Sequence, residues 1–196
     1  MPPGGRVRTL RISWIAAWCR WKVVQTTVTQ FLSERSIPYR LNRHPNAAFS
    51  CRDVARERKL RLSQIVKCMV AADFRNGLHI LLIPGDRMLK LKRVRALAGG
   101  ARVQLLAPDR LTSEYGVIVG AISPTQFYGH AQFYMDQTVL MEEEVDISSG
   151  DPRAGVELSS RDLAEVLNAT CCDIISDSRP GAPGDWPQAN VTTADL

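Results

Sequence analysis

Two apolar runs, at 65–71 and 78–83, are separated by Arg75-Asn76-Gly77, and the second is closed by Pro84-Gly85-Asp86. Short runs rich in Ile, Val and Leu and bounded by turn residues predict a pair of β-strands joined by a turn. The first of them carries a lone cation: Lys67 lies between Ile65-Val66 and Cys68-Met69-Val70. An ammonium group there faces a desolvation penalty unless a cleft or an anionic group receives it. The plainer alternative is a lysine on the solvent side of a half-buried strand, its stem lying along apolar surface. What raises Lys67 above that alternative is its company further along the chain.

The remaining elements alternate. Residues 27–35 place Val28, Phe31 and Leu32 at helical spacing, and Pro38 stops the helix before a strand at 39–41. A basic helix is expected over 51–60 and another over 89–97, its outer face bearing Lys90, Lys92, Arg93 and Arg95. Further strands are expected at 102–106, 131–135, 145–147, 156–158 and 171–175, with a helix over 160–167 opened by Ser159 and Asp162 at capping-box spacing. The pattern predicts a mixed α/β (α+β) fold: a single compact domain with a mixed, partly barrel-like sheet surrounded by helices. A chain of 196 residues that is 45% hydrophobic suits one such core. The domain is expected to span 26–177, flanked by a basic arm at 1–25 and a disordered Pro/Gly-rich tail at 178–196.

The arm begins with basic residues and an apolar run at 12–18, but Arg20 and Lys22 follow at once and no cleavage-type site closes it. It therefore reads as neither a secretory signal nor a membrane span, but as a disordered arm outside the domain or the product of a misassigned upstream start. Trp14, Trp18 and Trp21 fall at near-helical spacing and offer packing on the domain as the other reading. The arm accounts for the whole net charge of +5, so the rest of the chain is neutral but polarised. Residues 35–102 hold 16 basic and 4 acidic side chains, whereas those from 103 onward hold 4 and 15. A basic half of this kind suits a polyanion docking on one face, although solvated basic helix faces produce the same count. Arg56, Arg58, Lys59 and Arg61, with Lys90, Lys92 and Arg93, are the expected phosphate ligands.

Several chemistries are disfavoured. The five cysteines are odd in number and make no C-x-x-C pair, which reads as reduced thiols in a cytoplasmic protein. His44, His79 and His130 lie far apart, so no zinc site is expected, and neither a P-loop nor a dinucleotide glycine pattern occurs. No Ser-His-Asp signature or well-placed general base stands out. Cys68 reads as a buried inert thiol in an apolar strand.

In Gly120-Ala121-Ile122-Ser123-Pro124, glycine permits positive φ and close approach, and proline fixes the exit. The intervening N–H groups can converge on a carbonyl or an oxyanion. Alone, the pattern is equally that of a tight turn.

The order of these pieces carries more than any of them. Ile37-Pro38-Tyr39, Arg43-His44-Pro45, Gln64-Ile65-Val66-Lys67, Leu82-Ile83-Pro84-Gly85-Asp86, Gly120 to Pro124, Tyr134-Met135-Asp136 and Ser149-Gly150 follow one another in the chain. In that order they resemble the YbaK and prolyl-tRNA synthetase-associated editing domain family, over about 27–176. The resemblance implies a freestanding, trans-editing aminoacyl-tRNA deacylase acting on mischarged tRNA, typically tRNA(Pro) bearing cysteine, alanine or another small amino acid. It implies no metal or nucleotide cofactor, a cytoplasmic location, mischarged tRNA as partner together with an aminoacyl-tRNA synthetase, and no membrane. It assigns catalytic roles to Lys67, which orients the substrate end, and to Gly120 and Ala121, whose backbone holds the acyl carbonyl. Attack would come from a terminal ribose hydroxyl or a water that it positions. Substrate-binding roles fall to His44, Phe49, Ile122, Ser123, Pro124, Asp136 and Gly150, with His44 read equally well as a turn residue before Pro45. Cys68 follows Lys67 where alanine-specific members often carry asparagine, and Ala121 stands where a second glycine is common; both departures bear on amino-acid specificity. Two other readings stay open: a binding module of this fold that has lost the chemistry, and a nonspecific nucleic-acid binder using the arm.

Overall fold

The computed structural model describes residues 26–100 and 102–176. The expectations for the arm and for the tail lie outside the described residues. In chain order the elements are α1 (Thr27–Glu34), β1 (Arg40–Arg43), α2 (Cys51–Arg58), β2 (Val66–Ala72), β3 (Leu78–Pro84), α3 (Leu91–Leu97), β4 (Gln104–Leu105), α4 (Pro108–Tyr115), β5 (Ala131–Asp136), β6 (Glu144–Ser148), β7 (Ala154–Ser159), α5 (Ser160–Val166) and β8 (Thr170–Cys172). Short 3-10 turns cover Leu62–Gln64, Pro124–Phe127 and Gln137–Met141.

The strands form a mixed five-stranded sheet in the order β4-β2-β3-β5-β8 and an antiparallel three-stranded sheet in the order β1-β7-β6. β2 and β3 pair antiparallel with Lys67 opposite Ile83, through a turn in which Asn76 takes a φ of 62°. β5 runs parallel to β3, and β8 parallel to β5. A lone parallel bridge from Ile65 to Asp146 joins the two sheets at the start of β2. The sheets meet there without closing a barrel among the described residues, so the expected barrel-like character reduces to that junction.

Burial explains why 78–83 reads as an unbroken apolar run. β3 is a central strand covered on both faces, which removes the polar alternation of a half-exposed strand. Ile80 and Leu82 join Val66, Val70 and Met135 against α1, α5 and the three-stranded sheet, whose Val145, Ile147, Val156 and Leu158 are also buried. Leu81 and Ile83 pack on the opposite side with Val94 of α3, Val103 and Ile174. Each such aliphatic side chain contributes roughly 1.5–3 kcal/mol by leaving water. A third, small cluster of Ala48, Val54 and Ile65 lies beneath α2.

Local signals set most boundaries. Thr26 caps α1 reciprocally with Thr29, its hydroxyl accepting from the Thr29 N–H at 3.2 Å. Ser50 caps α2, which ends at Lys59 with a left-handed φ of 56°. Ser159 caps α5 by accepting from the Asp162 N–H. Helix α4 was not anticipated, although Pro108 at its first turn and Gly116 at its end are ordinary helix boundaries. Only Leu111 of that helix is buried, so its apolar periodicity is faint. The strand expected over 102–106 shrinks to two residues, and that over 171–175 ends at Cys172, leaving a single bridge from Leu89 to Ile175.

Candidate active site

Lys67 and the loop after Val119 are 53 residues apart in sequence, yet they line one pocket of ≈ 110 Å³. The walls come from the 48–51 segment and α2 (Phe49, Cys51, Arg58), the start of β2 (Ile65 to Cys68), the loop (Gly120, Ala121, Ile122) and β6 with its exit (Asp146, Ser148, Asp151). The cavity is small beside drug-sized sites of roughly 300–1,000 Å³, and so has room for a compact group.

Lys67 Nζ donates to the Arg87 carbonyl at 2.8 Å. Burial lowers its pKa to about 8, against the opposing pull of Cys51 and Asp86. The Cys51 thiol is pushed up by burial, and Lys67 offsets part of that shift. Burial pushes the Cys68 thiol up to about 12, so neither pocket thiol is set up as a thiolate nucleophile. Among the described residues no group of three or more His, Cys, Asp or Glu is placed to hold a metal ion.

The loop offers fewer donors than its spacing implies. The Ala121 N–H donates to Ile118 O at 2.9 Å and the Ser123 N–H to Gln126 Oε1 at 2.9 Å. Gly120 and Ile122 carry the loop N–H groups that meet no protein acceptor among the described residues. Gly120 has a φ of 88°, and a Cβ there would lie 2.6 Å from the Phe49 carbonyl oxygen. Glycine is thus required twice, for the backbone conformation and for the approach of the Phe49 main chain. The Ser148 hydroxyl donates to Ala121 O at 2.7 Å, which ties the loop to β6.

Of the residues expected at the site, Lys67, Gly120, Ala121, Ile122 and the 45%-exposed Phe49 come together in the pocket. His44 lies behind it, buried, its Nδ1 donating to Asn46 O at 2.5 Å and its Nε2 accepting from Arg58 Nη2 at 3.1 Å. Ser123 and Pro124 are buried at the start of the following 3-10 turn, with the Ser123 hydroxyl against that of Thr125. Asp136 is fully buried away from the pocket: Oδ1 accepts from the Thr138 N–H and hydroxyl, and Oδ2 from the Ile174 N–H at 2.9 Å. Gly150 turns the chain after β6 with a φ of 89°. None of these five residues lines the pocket.

Sequence reading placed Arg58 among the surface cations and passed over Asp146. The two form an ion pair with side chains only 5% and 2% exposed. A Cβ on Gly155 would collide with Arg58 Nη1, so β7 leaves out a side chain where the guanidinium sits. Burial, with Glu157 nearby, pushes the Asp146 carboxyl up to about 7 in spite of Arg58. Glu157 is itself engaged by Arg40 and Asn42. Asp146 stands at the polar position of the alternating run Val145-Asp146-Ile147, the ordinary pattern of a half-buried strand, so the sequence carried no anomaly of the kind that singled out Lys67.

The aminoacyl-tRNA editing domain model matches residues 44–166, which contain every wall of this pocket. A candidate Cys-tRNA(Pro)/Cys-tRNA(Cys) deacylase of Enterococcus faecalis is 21% identical over 152 residues, covering 76% of this chain and 93% of that protein. A proline–tRNA ligase of Thermosipho melanesiensis is 28% identical over 72 residues, 37% of this chain and 13% of the ligase. Among solved structures, a hypothetical protein superposes with a TM-score of 0.71 at 25% identity, covering 76% of this chain and 99% of its own. A candidate trans-editing enzyme for prolyl-tRNA synthetase superposes at 0.67 and 22% identity, covering 76% and 94%, a likeness of fold. With the family model spanning well over half of the sequence and enclosing the whole pocket, the chain belongs to the aminoacyl-tRNA editing domain family.

Proposed function

We propose that the protein is a trans-editing aminoacyl-tRNA deacylase that hydrolyses the ester of mischarged tRNA, with tRNA(Pro) carrying a small amino acid such as cysteine or alanine as its substrate class. The observation that carries this reading is the meeting of Lys67 with Gly120 and Ile122 in one small pocket. The Lys67 ammonium holds the phosphate or ribose end of the substrate. The Gly120 and Ile122 N–H groups stabilise the charge that grows on the acyl oxygen, a contribution that preorganised donors make at little reorganisation cost. The ester is already activated, so a ribose hydroxyl or a water held beside it suffices as nucleophile, and most of the rate gain comes from positioning. The small volume supports a small acyl side chain. An aminoacyl-tRNA synthetase as partner and a cytoplasmic location accompany this reading. Ester hydrolysis by the purified protein across a panel of mischarged tRNAs tests it. Binding of those tRNAs without hydrolysis would instead favour the silent binding module.

The protonation of Lys67 predicts a pH profile. If the ammonium is the working form, kcat/KM declines as pH rises through about 8, by about tenfold per unit beyond it once spontaneous hydrolysis is subtracted. Lys67→Arg should shift that limb upward, because a guanidinium stays charged throughout the range. A flat profile from about pH 7 to 9.5 would contradict a cationic role.

The exposed cations predict how tRNA is held. Arg58 is buried, and Arg56, Arg61 and Arg93 pair with Asp53, Glu142 and Asp173, so they are poorer phosphate ligands than their positions in the sequence imply. Arg52, Lys59 and Lys92 are exposed on the two basic helices and at the end of α2. Reversing these three charges should raise KM for tRNA roughly tenfold and reduce the salt slope by about one for each phosphate no longer neutralised. Turnover of a minimal aminoacyl-nucleoside ester should not change. Equal losses on both substrates would place these residues in the pocket chemistry instead.

A further inference from the structure

The proposed reaction leaves open where the proton of an attacking water goes, and three carboxylates stand near enough to the pocket to be compared. Asp146 is closed off: its side chain is 2% exposed and paired with Arg58, and a Cβ on Gly155 would lie 2.7 Å from its sealed Oδ2. Asp86 lies within electrostatic reach of Lys67 but outside the pocket lining, and its Oδ1 is sealed as well. Asp151 differs on both counts. It is a half-buried member of the lining, and its Oδ2 accepts no hydrogen bond among the described residues without being sealed from solvent.

The setting of Asp151 is rigid. Its Oδ1 accepts from the Arg153 N–H at 2.8 Å, a turn-closing bond typical of aspartate, which leaves Oδ2 as the outward oxygen. The preceding Gly150 N–H donates to Ser148 Oγ at 3.1 Å, and that hydroxyl donates to Ala121 O at 2.7 Å. The turn is thereby bonded to the loop that carries the Gly120 and Ile122 N–H groups. On its other side Pro152 O accepts from the Ala48 N–H at 2.8 Å, next to Phe49, whose main chain abuts Gly120. Asp151 thus stands between the two segments that frame the loop donors. The cavity of ≈ 110 Å³ equals the liquid share of about four waters at ≈ 30 Å³ each, so an acyl group inside it leaves one layer of water between facing walls.

We propose that Asp151 is the catalytic base of the deacylation, taking a proton from the water that attacks the acyl carbon. The inference rests on the deacylase reading and deepens it. The water oxygen bonds to the acyl carbon as its proton passes to Asp151 Oδ2, and the carbonyl electron pair moves onto the oxygen that faces the Gly120 and Ile122 N–H groups. Collapse of this intermediate expels the ribose oxygen, which takes the proton back from Asp151. The products are the free amino acid and a tRNA with an intact terminal ribose, and the carboxylate is regenerated. A positioned base of this kind contributes typically 10²–10⁴-fold.

The test uses the full chain and whichever aminoacyl-tRNA the panel identifies as its best substrate. Asp151→Asn keeps an oxygen for the Arg153 N–H and removes the charge, so the melting temperature should hardly move. Its kcat should fall by about 100-fold or more, with KM changed by less than about threefold. In Asp151→Ala, which leaves room beside the water, added formate should restore activity by about tenfold or more, a response that a purely structural carboxylate would not give. Near-normal kcat in Asp151→Asn overturns the proposal and leaves the deacylase reading standing. A raised KM at unchanged kcat also overturns it, because Asp151 is then a binding contact, as for the α-ammonium group of the substrate. Loss of activity that formate does not repair, together with a lowered melting temperature, makes Asp151 a turn residue and overturns it too. Should Asp151→Asn fail to fold, the formate response of Asp151→Ala decides alone. If the wild-type protein hydrolyses no aminoacyl ester, the deacylase reading falls and this proposal with it.

Discussion

Lys67→Met is expected to lower kcat/KM on mischarged tRNA by about 100-fold or more, comparable to removing a preorganised charge-stabilising group from an active site. The fold should survive. Methionine keeps much of the unbranched stem that lines the pocket, and the substitution removes an ammonium whose burial already depresses its pKa to about 8. The sign of the linkage follows from that depression. Between about 8 in the folded chain and the ordinary value of 10.5, the unfolded chain binds more protons at this residue. The Lys67 contribution to stability therefore rises as pH rises through that window, and at neutral pH the charged lysine is a burden that the methionine variant lacks. Against this, the Arg87 carbonyl loses its donor, which costs about 1 kcal/mol. Because the relieved burden exceeds the lost hydrogen bond, the variant should be at least as stable as the wild type at neutral pH, measured by denaturant titration. Near-normal turnover in a folded Lys67→Met protein would remove Lys67 from the mechanism. A large loss of stability alongside the loss of activity would make it a structural residue.

Gly120→Ala is expected to damage both the pocket and the fold, and a neighbouring glycine supplies the control. Gly116 and Gly120 both have left-handed φ angles, 63° and 88°. A Cβ at Gly116 meets nothing within 4 Å, so Gly116→Ala bears only the backbone strain of roughly 1–2 kcal/mol. At Gly120 the same Cβ would be 2.6 Å from Phe49 O and 3.1 Å from Phe49 Cα, main-chain atoms that cannot swing aside. Gly120→Ala should therefore lower the melting temperature by about 5–10 °C, against roughly 2–5 °C for Gly116→Ala. It should also cut turnover by about 100-fold at temperatures where the protein remains folded, because displacing the loop or the Phe49 segment misplaces the Gly120 and Ile122 donors. Gly116→Ala should retain near-normal turnover. If the two variants behave alike in both measurements, the contact with Phe49 is not what fixes the loop.

The contrast between these two glycines shows where sequence reading stops. Both occur in the run Gly116 to Pro124, and nothing local distinguishes them. Phe49 lies 71 residues before Gly120, so the close approach that makes one of them critical exists only once α2 and β6 have brought the segments together. The loop itself was also read too generously. Its span promised converging N–H groups, whereas Ile118 O and Gln126 Oε1 take two of them. The expectation for Asp136 met a similar limit. Its place next to a strand end is visible in the sequence, but the Ile174 N–H that occupies its carboxylate comes from 38 residues further along.

The sequence by itself determined what depends on neighbours along the chain. The β2–β3 hairpin follows from two apolar runs around a turn with Asn76 and Gly77, α1 from its spacing and from Pro38, and α5 from its cap. Lys67 could be singled out because a charge in an apolar strand is anomalous wherever that strand packs. Helix α4 was within reach on its caps and was missed because a helix that buries only Leu111 leaves little periodicity. Tertiary structure alone decided the rest. It brought Arg58 of α2 against Asp146 of β6, 88 residues apart, over a glycine in a third element. It turned one basic residue inward while its neighbours stayed in water, and it closed a small pocket from four separate segments. The physical reason is that helical and strand periodicity are properties of short stretches, whereas burial, pKa shifts and unpaired polar atoms depend on which distant groups share the same space.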